Sequence, residues 1–175
     1  MINTQSGIIP KQKQNSEIPH LVSNLGKKTQ LPTKDRNYTL YNTQLVQELC
    51  LKREHALPHI DNFLKQTREE KQICEAIYTL DRMCDAGVKG IDKMYPTLAK
   101  FNHTSSPNIQ VLLAGVYRKT QVPDAFGPLC NMLIKNSQKE PCTLFDAQEE
   151  IGGAILEYIK VYSAKGTYEK LQKNN

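Results

Sequence analysis

A weak internal repeat of helical patterns is the feature that most limits what this chain can fold into. Three segments share an apolar core that ends in alanine, and these alanines, Ala76, Ala114 and Ala154, are spaced 38 and then 40 residues apart. Around each of them apolar residues recur at intervals of three and four, which is the period of an amphipathic α-helix. No alternating apolar–polar run of strand length accompanies them. The sequence therefore predicts an all-α fold built from related helices.

A second repeat lies between the members of the first. Pro58, Pro96 and Pro128 each precede apolar residues two and five positions later, and the prolines are spaced 38 and then 32 residues apart. Because the two spacings disagree, we expect an irregular unit between Ala76 and Pro96, with extra residues near 84–90. A period near 40 that contains two helices is typical of stacked helix pairs.

Three helix starts can be read from the sequence. Ser106 before Pro107 combines a hydroxyl N-cap with a proline at the first helical position. The segment from Thr67 to Glu70 has the pattern of a capping box, and Thr143 begins a looser one. These starts predict long helices after residues 67, 106 and 143, with the last helix over about 144–163.

Residues 106–135 contain a capped helix with a small residue at mid-length, followed by a V-P-x-A-x-x-x-L pattern that begins at Val122. This arrangement resembles a unit of the HEAT/armadillo family of α-helical repeats. The resemblance covers about residues 42–165. It implies a short α-solenoid of about three antiparallel helix pairs plus a C-terminal capping helix. A non-repetitive helical bundle with the same spacing is the alternative.

Residues 1–38 differ in composition from the rest of the chain. They are rich in Gln, Asn, Lys, Ser, Thr and Pro, and they hold six basic and two acidic residues. Such a segment buries too little apolar surface to offset the entropy lost on ordering. The sequence predicts a disordered basic tail over 1–38, in which 18–25 is the stretch suited to a helical turn on a partner, and a HEAT-like domain over 39–175.

Charge and cysteine content bear on partners and location. Residues 39–175 carry 17 basic and 16 acidic side chains, whereas nucleic-acid-binding domains usually carry a basic face. Five cysteines without a C-x-x-C pair indicate reduced thiols in a cytoplasmic protein. No apolar run is long enough to span a membrane, and residues 1–10 lack the pattern of a Sec signal peptide. Secretion by another route stays open.

The sequence contains none of the common catalytic loops. It has no G-x-S-x-G elbow, Walker loop or dinucleotide-binding glycine motif. His55 and His59 have the spacing of metal ligands on one helical face, but Pro58 lies between them and Cys50 is the nearest further ligand. The His–Glu dyads that hold iron in the HEAT-like deoxyhypusine hydroxylases are missing. We predict no enzymatic activity, no cofactor and no metal site.

The HEAT resemblance also implies where a partner binds, because second helices usually line the concave surface of such stacks. Among the candidates, Lys65, Lys100 and Lys135 recur every 35 residues and would form a basic row. Lysines near helix C-termini also complement the helix dipole, which is the alternative interpretation of this row. The candidate partner-binding residues are His59, Asn62, Lys65, Lys93, Thr97, Lys100, Asn131 and Lys135.

Architecture and missing chemistry together favour a protein-binding scaffold or adaptor. The partner expected on the concave surface is a protein, with an acidic peptide as one candidate. The alternative is binding of a nucleic-acid backbone by the lysine row and the basic tail, which would make affinity fall steeply with salt. The sequence leaves the oligomeric state open.

Overall fold

The structure, a computed structural model, describes residues 11–138 and 145–164. Within these ranges the chain is all-helical, with eight α-helices, short 3-10 turns between them, and isolated β-bridges in place of strands. The all-α prediction is confirmed. The helices are α1 Lys11–Ser23, α2 Thr43–Leu51, α3 Leu57–Gln66, α4 Glu70–Asp85, α5 Tyr95–Leu98, α6 Pro107–Thr120, α7 Phe126–Ser137 and α8 Phe145–Ala164.

The helices of even number pack in succession. The most extensive contacts join α6 to α8 and α4 to α6, and α2 packs against α4. Among the helices of odd number, α1 contacts α3 and α3 contacts α5, while α7 packs beside α8. Apart from α5 and α7, helices two places apart along the chain are therefore neighbours in space. We call the two sets the even layer and the odd layer.

The three repeated alanines lie where the even layer is most tightly packed. Ala76, Ala114 and Ala154 are each fully buried, on α4, α6 and α8. A methyl side chain at these positions lets the helices approach closely, so the repeat in the sequence corresponds to a repeated packing position. Around it the core is mainly aliphatic. Buried Tyr117 and Tyr158 satisfy their hydroxyls by donating to Asn102 Oδ1 and to the Val122 carbonyl, both at 2.7 Å.

The predicted helix starts have different outcomes. Ser106 is the N-cap of α6, and its hydroxyl accepts a hydrogen bond from the Ile109 N–H at 3.3 Å, as predicted. The capping box at Thr67 is wrong, because Glu69 precedes α4 and makes no side-chain cap bond. Thr67 instead ends α3, and its hydroxyl donates to the side chain of Gln72. Thr143 lies outside the described residues.

The irregular unit lies between Ala76 and Pro96, as the disagreement between the alanine and proline spacings predicted. After α4 ends at Asp85, the chain turns through Gly87 and Gly90, which adopt left-handed φ values of +70° and +86°. The following helix, α5, has only four residues, and a 3-10 turn at Ala99–Phe101 extends it. The extra residues thus form a turn, and the second helix of this unit is short.

Residues 17–38 differ from the prediction of a disordered tail. Ile18, Val22 and Leu25 have helical spacing and are buried at 1%, 4% and 0% exposure. These residues looked isolated in the sequence, but they form one apolar stripe that packs into the core with α3 and α2. The helical stretch near 18–25 therefore contacts this chain's own helices. The part of the predicted tail over 1–10 lies outside the described residues.

Candidate functional site

The predicted partner-binding residues lie on the odd layer and its turns. Two clefts lie along the even layer, one beside α2 and α4 and one beside α4, α6 and α8. None of the eight residues, all of them in the described part of the chain, lines either of these clefts. His59 is half-buried. Thr97 is buried, at 3% exposure, so its side chain does not lie at the surface where a partner could contact it. The exposed members of the set are Asn62, Lys65, Lys93, Lys100, Asn131 and Lys135.

Asp61 connects several of these residues. Its carboxylate accepts a hydrogen bond from the Thr97 hydroxyl at 2.5 Å and pairs with Lys65 Nζ at 2.5 Å. Partial burial raises the pKa of Asp61, but the hydrogen bonds from Lys65 and Thr97 and the charge of Lys100 outweigh it, so the pKa lies below its ordinary value. Two lysines of the predicted row therefore share one acidic neighbour, which partly neutralises the row.

A cleft of about 1010 Å³ opens instead on the even layer. Residues 32–41 form one wall, and α4, α6 and the first half of α8 form the rest. Its floor includes Val111, Leu112 and Gly115 of α6. The charged groups along it are Lys34, Asp81, Arg82, Arg118, Lys119 and Glu150. We call this the tyrosine cleft, because Tyr38, Tyr41 and Tyr78 all line it.

The wall of the tyrosine cleft is a folded loop over residues 30–41. Gln30 and Leu40 exchange two backbone hydrogen bonds of 2.9 Å, which close the loop at its base. The guanidinium of Arg36 fills the loop and donates to the carbonyls of Leu31 at 2.7 Å and Tyr38 at 3.0 Å. These bonds leave Tyr38 58% exposed beside the cleft.

A buried carboxylate anchors both ends of this loop to α4. Glu75 is fully buried and accepts hydrogen bonds from the backbone N–H groups of Gly26, at 2.7 Å, and Asn42, at 2.6 Å. Gly26 has a left-handed φ of +83°, and a Cβ there would lie 2.7 Å from Gln72 Cα. Only glycine fits such a close approach to the helix. The position of the wall therefore depends on Gly26 and Glu75.

The aromatic side chains of the cleft are stacked on one another. The rings of Tyr41 and Tyr78 lie 4.0 Å apart and are nearly parallel, at 7°. The guanidinium carbon of Arg82 lies 5.3 Å from the centre of the Tyr78 ring, a cation–π distance. Burial raises the pKa of Tyr41, so this phenol stays neutral at physiological pH. Tyr78 thus has Tyr41 and Arg82 against its ring.

An ion network joins α4 to α6 under the cleft. Lys119 Nζ lies 2.7 Å from Asp81 Oδ1 and 2.7 Å from Asp85 Oδ1. Arg82 pairs with Asp81 and, at 3.1 Å, with Asp85. The Asp81 side chain is only 9% exposed, and Gly115 leaves room for it, because a Cβ at Gly115 would lie 3.0 Å from Asp81 Oδ1. The network fixes the position of Arg82.

Arg118 connects the next pair of helices. Its Nη1 lies 3.4 Å from Glu150 Oε2 on α8, and both side chains are about two-fifths exposed, at 39% and 40%. Lys34 on the opposite wall is exposed. Both basic side chains line the cleft and are at least partly exposed.

A second cleft, of about 580 Å³, lies between α2 and α4. Val46, Cys50 and Leu51 give it an apolar surface, and Leu51 is 80% exposed. Tyr78 and Arg82 line both clefts. The two therefore adjoin, and we call them together the groove, with an apolar end at Leu51 and a charged end at Arg118.

Burial raises the pKa of each cysteine thiol in the described part of the chain. Within the described residues Cys50, Cys74, Cys84 and Cys130 are free. Burial raises the pKa of Cys74 and of Cys84 to about 12, so both are protonated and poorly nucleophilic at neutral pH. Cys142, the fifth cysteine, lies outside the described residues.

Metal sites need clustered ligands, and membrane spans need long apolar helices. Within 11–138 and 145–164, no three His, Cys, Asp or Glu side chains are grouped so that they could hold a metal ion. Over the same residues, every helix is too short or too polar to cross a bilayer.

Sequence reasoning missed the groove for two reasons. Lys34 and Tyr38 belong to a segment that was predicted to be disordered. Val111 and Leu112 lie in the apolar segment that ends at Ala114, but both are half-buried and line the cleft. One signal was present: Tyr38 is an aromatic residue at the end of the segment predicted to be disordered, and aromatic residues are scarce in disordered segments.

Comparisons with protein-family models, with curated proteins and with solved structures find no protein or family similar to this chain. The function of the chain is therefore inferred from the geometry of its described residues.

Proposed function

We propose that this chain is a HEAT-like helical-repeat module that acts as a protein-binding scaffold or adaptor. In this proposal its partner contributes an extended segment that lies in the groove, with an apolar side chain near Leu51 and an acidic side chain between Lys34 and Arg118. The main observation behind the proposal is that three tyrosines and four basic side chains line the tyrosine cleft, next to the apolar surface that includes exposed Leu51.

The order of helix contacts supports the repeat. In α-solenoids each helix pair packs on the next pair, so helices two places apart become neighbours. The contacts of α4 with α6 and of α6 with α8 follow this order, as do those of α1 with α3 and α3 with α5. The buried alanine at the same place in three even helices supports it as well.

The side chains of the groove support a protein partner. Tyrosine and arginine are enriched among residues that dominate protein–protein binding energy, since they bury much area and keep a polar group. Arg82 and Lys119 are already paired with Asp81 and Asp85. Arg118 is likewise paired with Glu150, so the exposed Lys34 is the basic group of the cleft that favours an acidic side chain on the partner.

The same geometry argues against the nucleic-acid alternative. Single-stranded nucleic acids usually stack bases on open aromatic faces. Tyr78 already carries Tyr41 and Arg82 against its ring, and Asp81 and Glu150 place negative charge in the cleft. On the odd layer, the negative charge of Asp61 lies close to Lys65 and Lys100 and offsets part of the positive charge of the row.

Affinity capture with the full chain tests this proposal. The cleft variant Lys34→Glu with Arg118→Glu should lose the partner. The matched control, Lys93→Glu with Lys100→Glu, makes the same charge change at exposed sites of the odd layer and should keep it. Circular dichroism checks that both variants stay folded. Loss of the partner in the control alone would move the binding surface to the predicted lysine row.

A photo-crosslinking residue in place of Tyr38 gives a direct readout. We expect it to crosslink the captured protein, whereas the same residue in place of Lys93 should not. Nuclease treatment and a salt series complete the experiment. If the captured material disappears with nuclease, and binding falls steeply between low and physiological salt, nucleic acid and not protein occupies the site.

A further inference from the structure

The outer face of α8 carries a stripe of four residues that is complementary to itself. Glu149, Gly152, Leu156 and Lys160 recur at intervals of three and four, so they share one helical face. The opposite face of α8, which includes Tyr158, is buried in the core. α8 is the last described helix of the even layer, and no described helix covers the stripe.

The centre of the stripe has a large exposed apolar side chain, Leu156, next to a residue without a side chain, Gly152. Leu156 is 68% exposed, so its apolar side chain is available to a second helix. An added Cβ at Gly152 would meet no atom within 4 Å, so nothing in the described chain requires a glycine there. Glycine is unfavourable inside a helix, but it lets another backbone approach closely.

The charges of the stripe select the direction of a second helix. Glu149 and Lys160 lie at equal distances on either side of the midpoint of the stripe. A second copy of α8 that runs antiparallel places its Lys160 opposite Glu149, and its Glu149 opposite Lys160. A parallel copy would instead place like charges together, which is unfavourable. The antiparallel arrangement also brings Leu156 of each copy to Gly152 of the other.

We propose that two copies of this chain associate through the α8 stripe as an antiparallel dimer with two-fold symmetry. Such an interface uses the same surface on both copies, and the stripe satisfies that requirement by itself. Lys160 Nζ lies 3.7 Å from Glu157 Oε2, which is long for an ion pair, and the Lys160 side chain is 76% exposed. This pair within α8 is therefore weak and leaves Lys160 accessible. The dimer would carry two grooves, one on each copy.

Sedimentation equilibrium of the full chain over a wide concentration range tests the proposal. The mass should rise from 19.9 kDa towards twice that value. Leu156→Glu should weaken the dimer on the order of a hundredfold, because both copies lose an apolar contact and gain a charge. The matched control Leu51→Glu, at an 80% exposed leucine on α2, should leave the dimer constant unchanged.

A charge swap tests the antiparallel arrangement. Glu149→Lys and Lys160→Glu should each weaken the dimer by about threefold or more, and the double variant should restore it. A chain that stays at 19.9 kDa at several hundred micromolar overturns the proposal. That result is also expected if another part of this chain covers the stripe. A dimer that persists in Leu156→Glu, or a double variant that fails to recover, overturns it as well.

Discussion

The two layers of this molecule use charged residues in different ways. On the odd layer, Lys65 pairs with Asp61 one helical turn away, and Lys93 and Lys100 are exposed. On the even layer, Asp81 is 9% exposed and pairs with Lys119 of another helix. The odd layer therefore carries dispersed charges near helix ends, whereas the even layer assembles charges from several helices into one site.

This difference shows that regular lysine spacing does not by itself bring charged groups together. Regular spacing along the sequence places side chains at equivalent points of successive helices, but each can still be neutralised locally, as Lys65 is by Asp61. A site requires convergence, and convergence depends on contacts between distant parts of the chain. The tyrosine cleft has such contacts. The hydrogen bonds that Glu75 accepts from Gly26 and Asn42 hold the wall of the cleft against α4.

The largest effect that would separate the layers is expected at Gly26. Gly26→Ala must accept a left-handed φ and a Cβ 2.7 Å from Gln72 Cα, so we expect a loss of about 3 kcal/mol in unfolding free energy. Gly87→Ala is the matched control, because it shares a left-handed φ but has nothing within 4 Å, and should cost only about 1 kcal/mol. Urea denaturation measures both. Equal losses would mean that the close approach to α4 does not occur.

The next effect is expected at Glu75. Glu75→Gln keeps the size of the side chain but replaces one acceptor oxygen with a donor, which leaves the N–H of Gly26 or Asn42 without its partner. We expect a loss of about 2 kcal/mol. Exposed Glu149→Gln should change stability by less than about 0.5 kcal/mol.

Hydrogen exchange distinguishes a local from a global effect of Glu75→Gln. If Glu75 anchors the wall, residues 26–42 should exchange faster than in the wild type while α6 keeps its protection. Uniform acceleration across all helices would instead make Glu75 a general core residue and remove the special role of the anchor.

These contacts also explain which features of the structure could be predicted from the sequence. The all-α class, the buried alanines and the Ser106 cap were predictable, because each depends on residues within a few turns of one another. The wall was not, because Glu75 and Gly26 are 49 residues apart and no local pattern links them. Ile18, Val22 and Leu25 had the spacing of a helix, but the polar composition around them concealed it.

A smaller effect compares the ion pairs of the two layers. Lys119→Met leaves nearly buried Asp81 with fewer cations, and we expect a loss of about 1–2 kcal/mol. Lys65→Met removes an exposed pair within one helix and should cost at most about 0.5 kcal/mol. Thermal unfolding measures the difference. If both variants lost the same stability, the charges of the even layer would be no more integrated than those of the odd layer.

The smallest effect is a pH dependence on the odd layer. The folded pKa of Asp61 lies below its ordinary value of 3.8, since hydrogen bonds from Lys65 and Thr97 outweigh its burial. Ionised Asp61 therefore contributes stability that is fully present above about pH 4 and is lost as pH falls through the lowered pKa. Thr97→Val removes one of these bonds, so the pKa of Asp61 should rise towards 3.8 in a carboxyl NMR titration.

Thr120→Val is the control for that pH dependence. The Thr120 hydroxyl donates to the Val116 carbonyl at 2.9 Å and to no carboxylate, so its stability loss should be the same at pH 3 and pH 7. The loss in Thr97→Val should shrink between pH 7 and pH 3, because protonation of Asp61 weakens the bond that was removed. Parallel losses in the two variants would show that Thr97 packs without acting on Asp61, and would leave Lys65 and Lys100 as the described groups that lower its pKa.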